Sequence, residues 1–422
     1  MRITPLSERH LSPYAVRYPA IAEARSQELC QAVNATKSKC RCDGQSPLAT
    51  TSWARFVTSV TGWATNVGGR LRIVGIVMKA VVYQDHGATP ALTEVPTPPC
   101  PAGGAVLTVR ATGVCRSDWH AWRGHEPVPL PHIPGHELAG VVAEVGAGVT
   151  RWRAGDRVTV PFVCGCGTCA YCAAGDAQVC PQQTQPGFTG PGSFAERVAV
   201  HAVDTNLVAL PDSVDFVTAA SLGCRFATAF RAVTAHGRLR AGDWLAVHGC
   251  GGVGLSAVLI GVALGARVIA VDIAAPALAR AGELGATHVV NAATDPDPAA
   301  TIRRLTDGGA TVSIDALGSP GTAAASVLGL RRRGRHVQAG LLLGGATPLP
   351  MDVVVARELE IYGSHGMAAA DYPRLLSLVA DGTLRPDLLV GTVIGLADAP
   401  AALTAMDHPA TSAGITVIAL DA

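Results

Sequence analysis

One stretch restricts the fold of this chain more than any other: Trp244-Leu-Ala-Val-His-Gly-Cys-Gly-Gly-Val-Gly254. It is an apolar strand that runs without a break into Gly249-x-Gly251-x-x-Gly254 and then into a helical segment, Leu255 to Leu264. From Pro211 onward, further apolar runs at Arg267 to Asp272, His288 to Asn291, Val312 to Asp315 and Gly334 to Ala339 alternate with helical segments. Strands separated by helices of this length pair side by side in a parallel, doubly wound sheet. Each glycine of the loop answers one physical requirement: Gly249 a tight turn, Gly251 a close approach of phosphate to backbone, Gly254 the seating of a helix on the sheet. With Gly252 and Val253 they form a candidate dinucleotide cradle. Asp272 ends the next strand, eighteen residues after Gly254. Its carboxylate suits a ribose diol and repels a 2′-phosphate, and no Arg follows within seven positions, so the pattern predicts NAD over NADP. The competing reading makes Asp272 the N-cap of a helix over Ala274 to Gly282 and Cys250 a small filler.

The rest of the chain has a different texture. Lys79 to Tyr83, Ala105 to Ala111, Leu138 to Val145, Asp156 to Pro161 and Ala195 to Val200 are short strand-like runs broken by Gly and Pro. A helix over Tyr372 to Asp381 and strands over Leu388 to Ile394 and Ile415 to Leu420 are assigned back to this mostly β part. The expected fold class is α/β, with a mostly β catalytic domain over residues 78–225 and 364–422 and a nucleotide-binding domain over 226–363. Residues 1–77 show no sustained period and read as an extension, disordered or upstream of the true start, with Met78 immediately preceding the first good strand. Cys30, Cys40 and Cys42 within it read as unstructured thiols.

Composition closes off other classes. Lys plus Arg (33) nearly cancels Asp plus Glu (32), which leaves no field to gather nucleic acid or an anionic membrane. No eighteen-residue apolar run is free of charge or glycine, so no membrane span is expected. Five of the twelve Cys fall between Cys164 and Cys180. In a long chain such spacing favours metal over disulfides and a reducing, cytoplasmic compartment. Cys166-x-x-Cys169-x-x-Cys172, then Cys180, can close a tetrahedron around a structural zinc, although Cys164 could replace Cys166. A disulfide pair is the simpler alternative. A nucleic-acid-reading zinc ribbon is disfavoured because Cys166 to Cys180 holds no Lys or Arg.

A second constellation starts at Gly113-Val-Cys-Arg-Ser-Asp-Trp-His120 and continues at Pro134-Gly-His-Glu137. A catalytic zinc needs three protein ligands and one open position. Cys115 and His136 are candidates for two, and Cys224, in Ser221-Leu-Gly-Cys-Arg-Phe-Ala-Thr228, stands at the junction of the two parts as a third. Each alone is more simply a core residue.

These motifs, in this order over residues 78–422, resemble the zinc-dependent medium-chain alcohol dehydrogenases, which combine a GroES-like catalytic domain with a Rossmann domain. The Cys2His set is the standard example of a catalytic zinc site in alcohol dehydrogenase and is taken here from the resemblance. The resemblance implies that Cys115, His136 and Cys224 hold a catalytic zinc and that Cys166, Cys169, Cys172 and Cys180 hold a structural one, two Zn2+ per chain. It places Asp118 and Glu137 behind the ligands, Asp118 orienting His136. It assigns Ser117 and His120 to a proton path, where the plainer readings are a turn serine and a surface histidine. Arg116 is expected at the pyrophosphate, Thr228 near the nicotinamide and Phe162 in the substrate pocket. Trp119 and Trp122 are either pocket or packing residues.

Where many members carry a C-terminal Arg for the pyrophosphate, this chain reads Ser412-Ala-Gly-Ile-Thr416, with Ile415 at that place. The implied function is reversible hydride transfer from a primary or secondary alcohol to NAD in a homodimer or homotetramer. Within the family the alternatives are polyol, amino-alcohol or aromatic-alcohol dehydrogenases. From another class comes a non-catalytic zinc- and nucleotide-binding protein.

Overall fold

The computed structural model describes residues 76–342, 345–408 and 414–420, together with the backbone of residues 64–67 and 70–73. The last two are strands, β1 (Ala64–Val67) and β2 (Arg70–Ile73), paired antiparallel with Ala64 opposite Ile73. Both fall within residues 1–77, expected to be an extension without a sustained period. The overlooked signal was the Gly-Gly pair between two short runs rich in β-formers. Cys30, Cys40 and Cys42 lie outside the described residues.

Strand β3 (Val77–Val82) pairs antiparallel with β4 (Ala91–Pro96). Met78 lies inside β3, buried with Ala80, Val82, Ile133 and Ala195, so the strand begins two residues before the expected Lys79. A seven-stranded sheet follows, built from β5 (Ala105–Val114), β6 (Glu137–Val145), β7 (Arg157–Val160), β8 (Arg197–Val200), β9 (Val208–Ala209), β16 (Val390–Ile394) and β17 (Ile415–Ala419). Its order is β16-β17-β5-β6-β7-β9, with β8 also on β5, and every pair except β16 with β17 is antiparallel.

The second large sheet is wholly parallel. It comprises β10 (Trp244–His248), β11 (Arg267–Asp272), β12 (His288–Asn291), β13 (Ala310–Asp315), β14 (Leu330–Gln338) and β15 (Glu360–Gly363) in the order β12-β11-β10-β13-β14-β15. Strand order reverses between β10 and β13, so the crevice for a ligand opens at the carboxyl end of β10, where the glycine loop begins. Leu245, Ile269 and Ile314 on its central strands are fully buried, each contributing about 1.5–3 kcal/mol on burial.

One core cluster joins the two parts. It takes Ala111 and Ala139 from the antiparallel sheet, Leu222 and Phe226 from the connecting helices, Leu255 and Ile260 behind the glycine loop, and Tyr372 from the helix Tyr372–Ala380. The connecting segment holds a wide π-helical turn, Leu222–Phe226, between the helices Phe216–Ala220 and Ala227–Arg231. Such turns break the regular hydrogen-bond ladder and concentrate at functional sites. Here the Gly223 carbonyl accepts from the Phe162 N–H (3.2 Å) and from the Tyr372 hydroxyl (3.3 Å), which also reaches the Leu222 carbonyl (3.3 Å). No helix among the described residues is long and apolar enough to cross a membrane.

Candidate active site

The helix α1 (Arg116–Trp122) starts directly after β5. Cys115 is its N-cap, and Asp118 closes the first turn by accepting the Cys115 N–H at 3.0 Å. That places a thiol at the end of a sheet strand and a carboxylate one turn away. Asp118 is fully buried. Its other oxygen accepts from the Gly135 N–H (3.0 Å) and lies 2.8 Å from His136 Nδ1. The carboxylate therefore fixes the imidazole, leaving Nε2 directed elsewhere. His136 Nε2 is buried and has no hydrogen-bond partner. Ligand atoms of Cys115, His136, Glu137 and Cys224 all lie within 4.8 Å of one another.

The electrostatics of the cluster agree with a metal-ligand set. The Cys115 thiol is held well below its ordinary value, first by a hydrogen bond from Cys224, then by the Arg225 and His136 charges against the opposing effect of burial. Cys224 is correspondingly raised, by the same hydrogen bond and by burial. The two thiols thus stand hydrogen-bonded to each other beside an orphaned imidazole nitrogen. An orphaned buried nitrogen and a pair of soft sulfurs fit Zn2+ well.

Glu137 is part of this cluster but both its oxygens are engaged by Arg225. Oε1 accepts from the Arg225 N–H and Nε–H, each at 3.0 Å, and Oε2 pairs with Nη2. Burial pushes the Glu137 carboxyl up and Arg225 opposes it. Arg225 also donates to the Val114 carbonyl at 3.1 Å. Sequence reading passed over this arginine.

The second cysteine group also forms. Cys166, Cys169, Cys172 and Cys180 have mutually close sulfurs. Sulfurs about 2.3 Å from a tetrahedral centre stand about 3.8 Å apart, and Cys169 Sγ lies 3.5 Å from Cys172 Sγ and 3.7 Å from Cys180 Sγ. Backbone N–H groups of Cys166, Cys172 and Gln182 donate to these sulfurs. Cys164 is instead buried in the core, near the Pro161 carbonyl, and burial pushes its thiol up to about 12. Of the two, Cys166 is the one whose sulfur stands with those of Cys169, Cys172 and Cys180.

At the glycine loop, Gly249 has φ +88° and needs its missing side chain. A Cβ at Gly254 would overlap the Gly249 carbonyl oxygen and stand 2.8 Å from its carbon, whereas a Cβ at Gly251 would meet nothing within 4 Å. Gly252 opens the helix α2 (Gly252–Ala263), and Val253 lies in its first turn. Asp272 Oδ2 accepts the Cys250 N–H (2.6 Å) and Oδ1 the Ala274 N–H (2.8 Å). The N-cap of the following helix, Ala275–Glu283, is Ala274, so Asp272 braces the loop rather than capping that helix. Cys250 is buried, as a filler would be.

Of the remaining predicted residues, Thr228 is buried in the helix after the wide turn. Arg116 is stacked on Trp119 at 4.8 Å and donates to the Met406 carbonyl at 2.5 Å. Ser117 is half-buried on α1. His120 Nδ1 lies 2.9 Å from His125 Nδ1, so one ring donates and the other accepts. Burial, then the His125 and Arg116 charges, hold His120 below its ordinary value. Trp122 is buried with its indole N–H on the Ala88 carbonyl, a packing role, while the Trp119 N–H reaches Asp407. Phe162 stands edge-on to His136 at 6.1 Å and to His365 at 5.3 Å. Phe188, 5.1 Å from the His136 ring, completes an aromatic wall that sequence reading missed, as it missed His365 and the half-buried Glu126.

Comparisons with known proteins converge on this arrangement. The profile of the alcohol dehydrogenase GroES-like domain matches residues 101–212 and that of the zinc-binding dehydrogenases matches residues 252–381. An alcohol dehydrogenase of Geobacillus stearothermophilus is 34% identical over 73% of this chain and 90% of its own length. One from Moraxella sp. (strain TAE123) matches at 34% over the same shares. Among solved structures, the alcohol dehydrogenase TADH from Thermus sp. ATN1 superposes with a TM-score of 0.76 at 30% identity, covering 82% of this chain and 100% of that one. The benzyl alcohol dehydrogenase of Acinetobacter calcoaceticus gives a TM-score of 0.76 at 27% identity with the same coverage. Fold, cysteine–histidine cluster and comparisons together define an oxidoreductase of the zinc-binding dehydrogenase class. The chain belongs to the zinc-dependent medium-chain alcohol dehydrogenase family.

Proposed function

We propose that this chain is an NAD-dependent alcohol dehydrogenase that interconverts a small primary or secondary alcohol and its aldehyde or ketone, with one catalytic and one structural zinc. The observation that carries this reading is the orphaned His136 Nε2 set among Cys115, Cys224 and Glu137. When bound, zinc supplies Lewis acidity and NAD accepts the hydride. Cys115, His136 and Cys224 are the residues that hold the catalytic ion, and Asp118 keeps the His136 tautomer fixed. Cys166, Cys169, Cys172 and Cys180 hold the structural one.

Gly249, Gly251, Gly252, Val253 and Gly254 cradle the cofactor diphosphate against the first amides of α2, Asp272 receives the ribose, Arg116 faces the pyrophosphate and Thr228 borders the nicotinamide. Phe162, with Phe188, excludes water from the alcohol carbon. The Ser117 hydroxyl accepts the proton from the substrate hydroxyl as it hands on its own, and neutral His120 takes up the relayed proton and releases it to water. The test is a panel of aliphatic, aromatic and polyhydroxy alcohols with NAD and with NADP, followed at the absorbance of the reduced cofactor. Turnover with NAD and a simple or aromatic alcohol is expected, and no turnover with any alcohol would end this reading.

The proton path has a sign. His120 accepts only when neutral, and its value lies below the usual 6.5, so alcohol oxidation is retained above that range and falls as pH drops through it. His125, Arg116 and Cys115 are the charges that bear on the ring. His120→Gln is expected to lower kcat about a hundredfold at neutral pH and to erase this acid limb. An unchanged pH profile between 5 and 8 would remove His120 from the path.

A further inference from the structure

We propose that Arg225 is the positioning residue that ties the catalytic cluster to the dinucleotide loop, and that its remaining N–H donors bind the cofactor diphosphate. The proposal rests on the NAD-dependent reading above. A guanidinium carries five N–H donors in a rigid fork. Here Nε–H and one Nη2–H go to Glu137 and one Nη1–H goes to the Val114 carbonyl, the residue before Cys115. Two donors, one on each Nη, have no partner among the described residues. The side chain is only 9% exposed, so bulk water does not satisfy them. A buried cation with unmet donors is completed by an anionic acceptor.

The side-chain stem shows where that acceptor would sit. A Cβ at Gly252 would overlap Arg225 Cδ and stand 3.4 Å from Nε, so Arg225 runs directly against the first residue of α2. The free amides at the start of this twelve-residue helix face the region where a diphosphate docks. A glycine at 252 is what permits the approach. Among the described residues the other candidates are less well placed: position 415 is a buried isoleucine, and Arg116 is shared with the Met406 carbonyl and the Trp119 ring. Arg225 touches the loop with its stem, the Cys115 strand through Val114 and the residue after His136 through Glu137. A diphosphate bound to its fork therefore bears on the placement of both ligands.

Removing the charge pair as a unit avoids stranding Glu137 as a lone buried carboxylate. The experiment compares the unaltered zinc-loaded chain with Arg225→Lys and with the double variant Arg225→Met/Glu137→Gln. Titration calorimetry measures binding of NAD, ADP-ribose and adenosine, the last lacking the diphosphate. The dissociation constants for NAD and ADP-ribose are expected to rise about tenfold or more in the double variant and severalfold in Arg225→Lys, with adenosine unchanged in both. NAD binding as tight as in the unaltered chain, or an equal loss for adenosine, would overturn the proposal while leaving the NAD reading intact. Failure of the unaltered chain to bind NAD would overturn both.

Discussion

Cys115→Ala is expected to reduce alcohol-dependent NAD reduction by at least about a thousandfold and to lower the zinc content from about two ions per chain to about one. The two sites separate because they share no residue: Cys115, His136 and Cys224 form one cluster, Cys166, Cys169, Cys172 and Cys180 the other. With Cys115 gone, His136 Nε2 and the Cys224 sulfur remain but offer only two of the three proposed ligands, and Cys224 loses its hydrogen-bond partner. The lobe at 166–180 keeps its sulfurs and its N–H donors, so the fold should persist. Metal analysis by atomic emission, with circular dichroism as the control for folding, reads both halves of the prediction. A variant that keeps two zinc ions, or that still turns over at the original rate, would refute the assignment of Cys115.

Two single-methyl substitutions in the glycine loop are expected to diverge. At Gly254 the added carbon falls on the Gly249 carbonyl, a backbone-to-backbone overlap that no rotamer relieves, so strain of about 1–3 kcal/mol follows. Gly254→Ala should therefore lower Tm by several degrees and weaken NAD binding by about tenfold or more. At Gly251 the backbone is extended, with φ −78° and ψ −163°, and a methyl group would meet nothing within 4 Å. Gly251→Ala should leave Tm in place and weaken NAD only, because the open space is what a pyrophosphate would occupy. Thermal melts and calorimetric titrations of both variants decide the matter. Equal effects of the two on Tm would contradict the division of labour between these glycines.

How far the sequence could be read depended on whether the deciding physics was local. Strands β10, β11 and β12 have the bounds that their apolar runs suggest, since a buried parallel strand is an uninterrupted apolar segment between loops. The cysteine spacings were legible for a similar reason, because a metal lobe is closed by short loops. The choice between Cys164 and Cys166 was not, as it turns on which thiol faces the core. The role of Gly113 was also hidden. A Cβ there would stand 2.9 Å from Arg225 Nη2 and overlap Glu137 Oε2, so the residue is small on account of an ion pair whose two members come from other segments. Arg225 itself sits beside a predicted ligand in the sequence, yet nothing local announces that its charge is buried. Phe188 and His365 come up against His136 and Phe162 only through tertiary packing. The strands at 64–67 and 70–73 were missed because four-residue runs carry little periodicity.

The wide turn at Leu222–Phe226 has one more implication. A single short segment supplies Cys224 to the metal cluster, Arg225 to Glu137 and, through the Gly223 carbonyl, the anchor for the Phe162 amide. Ligand geometry, the nearby charge balance and one wall of the pocket therefore vary together, and a change made to suit one disturbs the others. Substitutions at Phe188 or His365, which lie on separate segments and meet the site only through ring contacts with His136 and Phe162, are expected to leave that turn undisturbed.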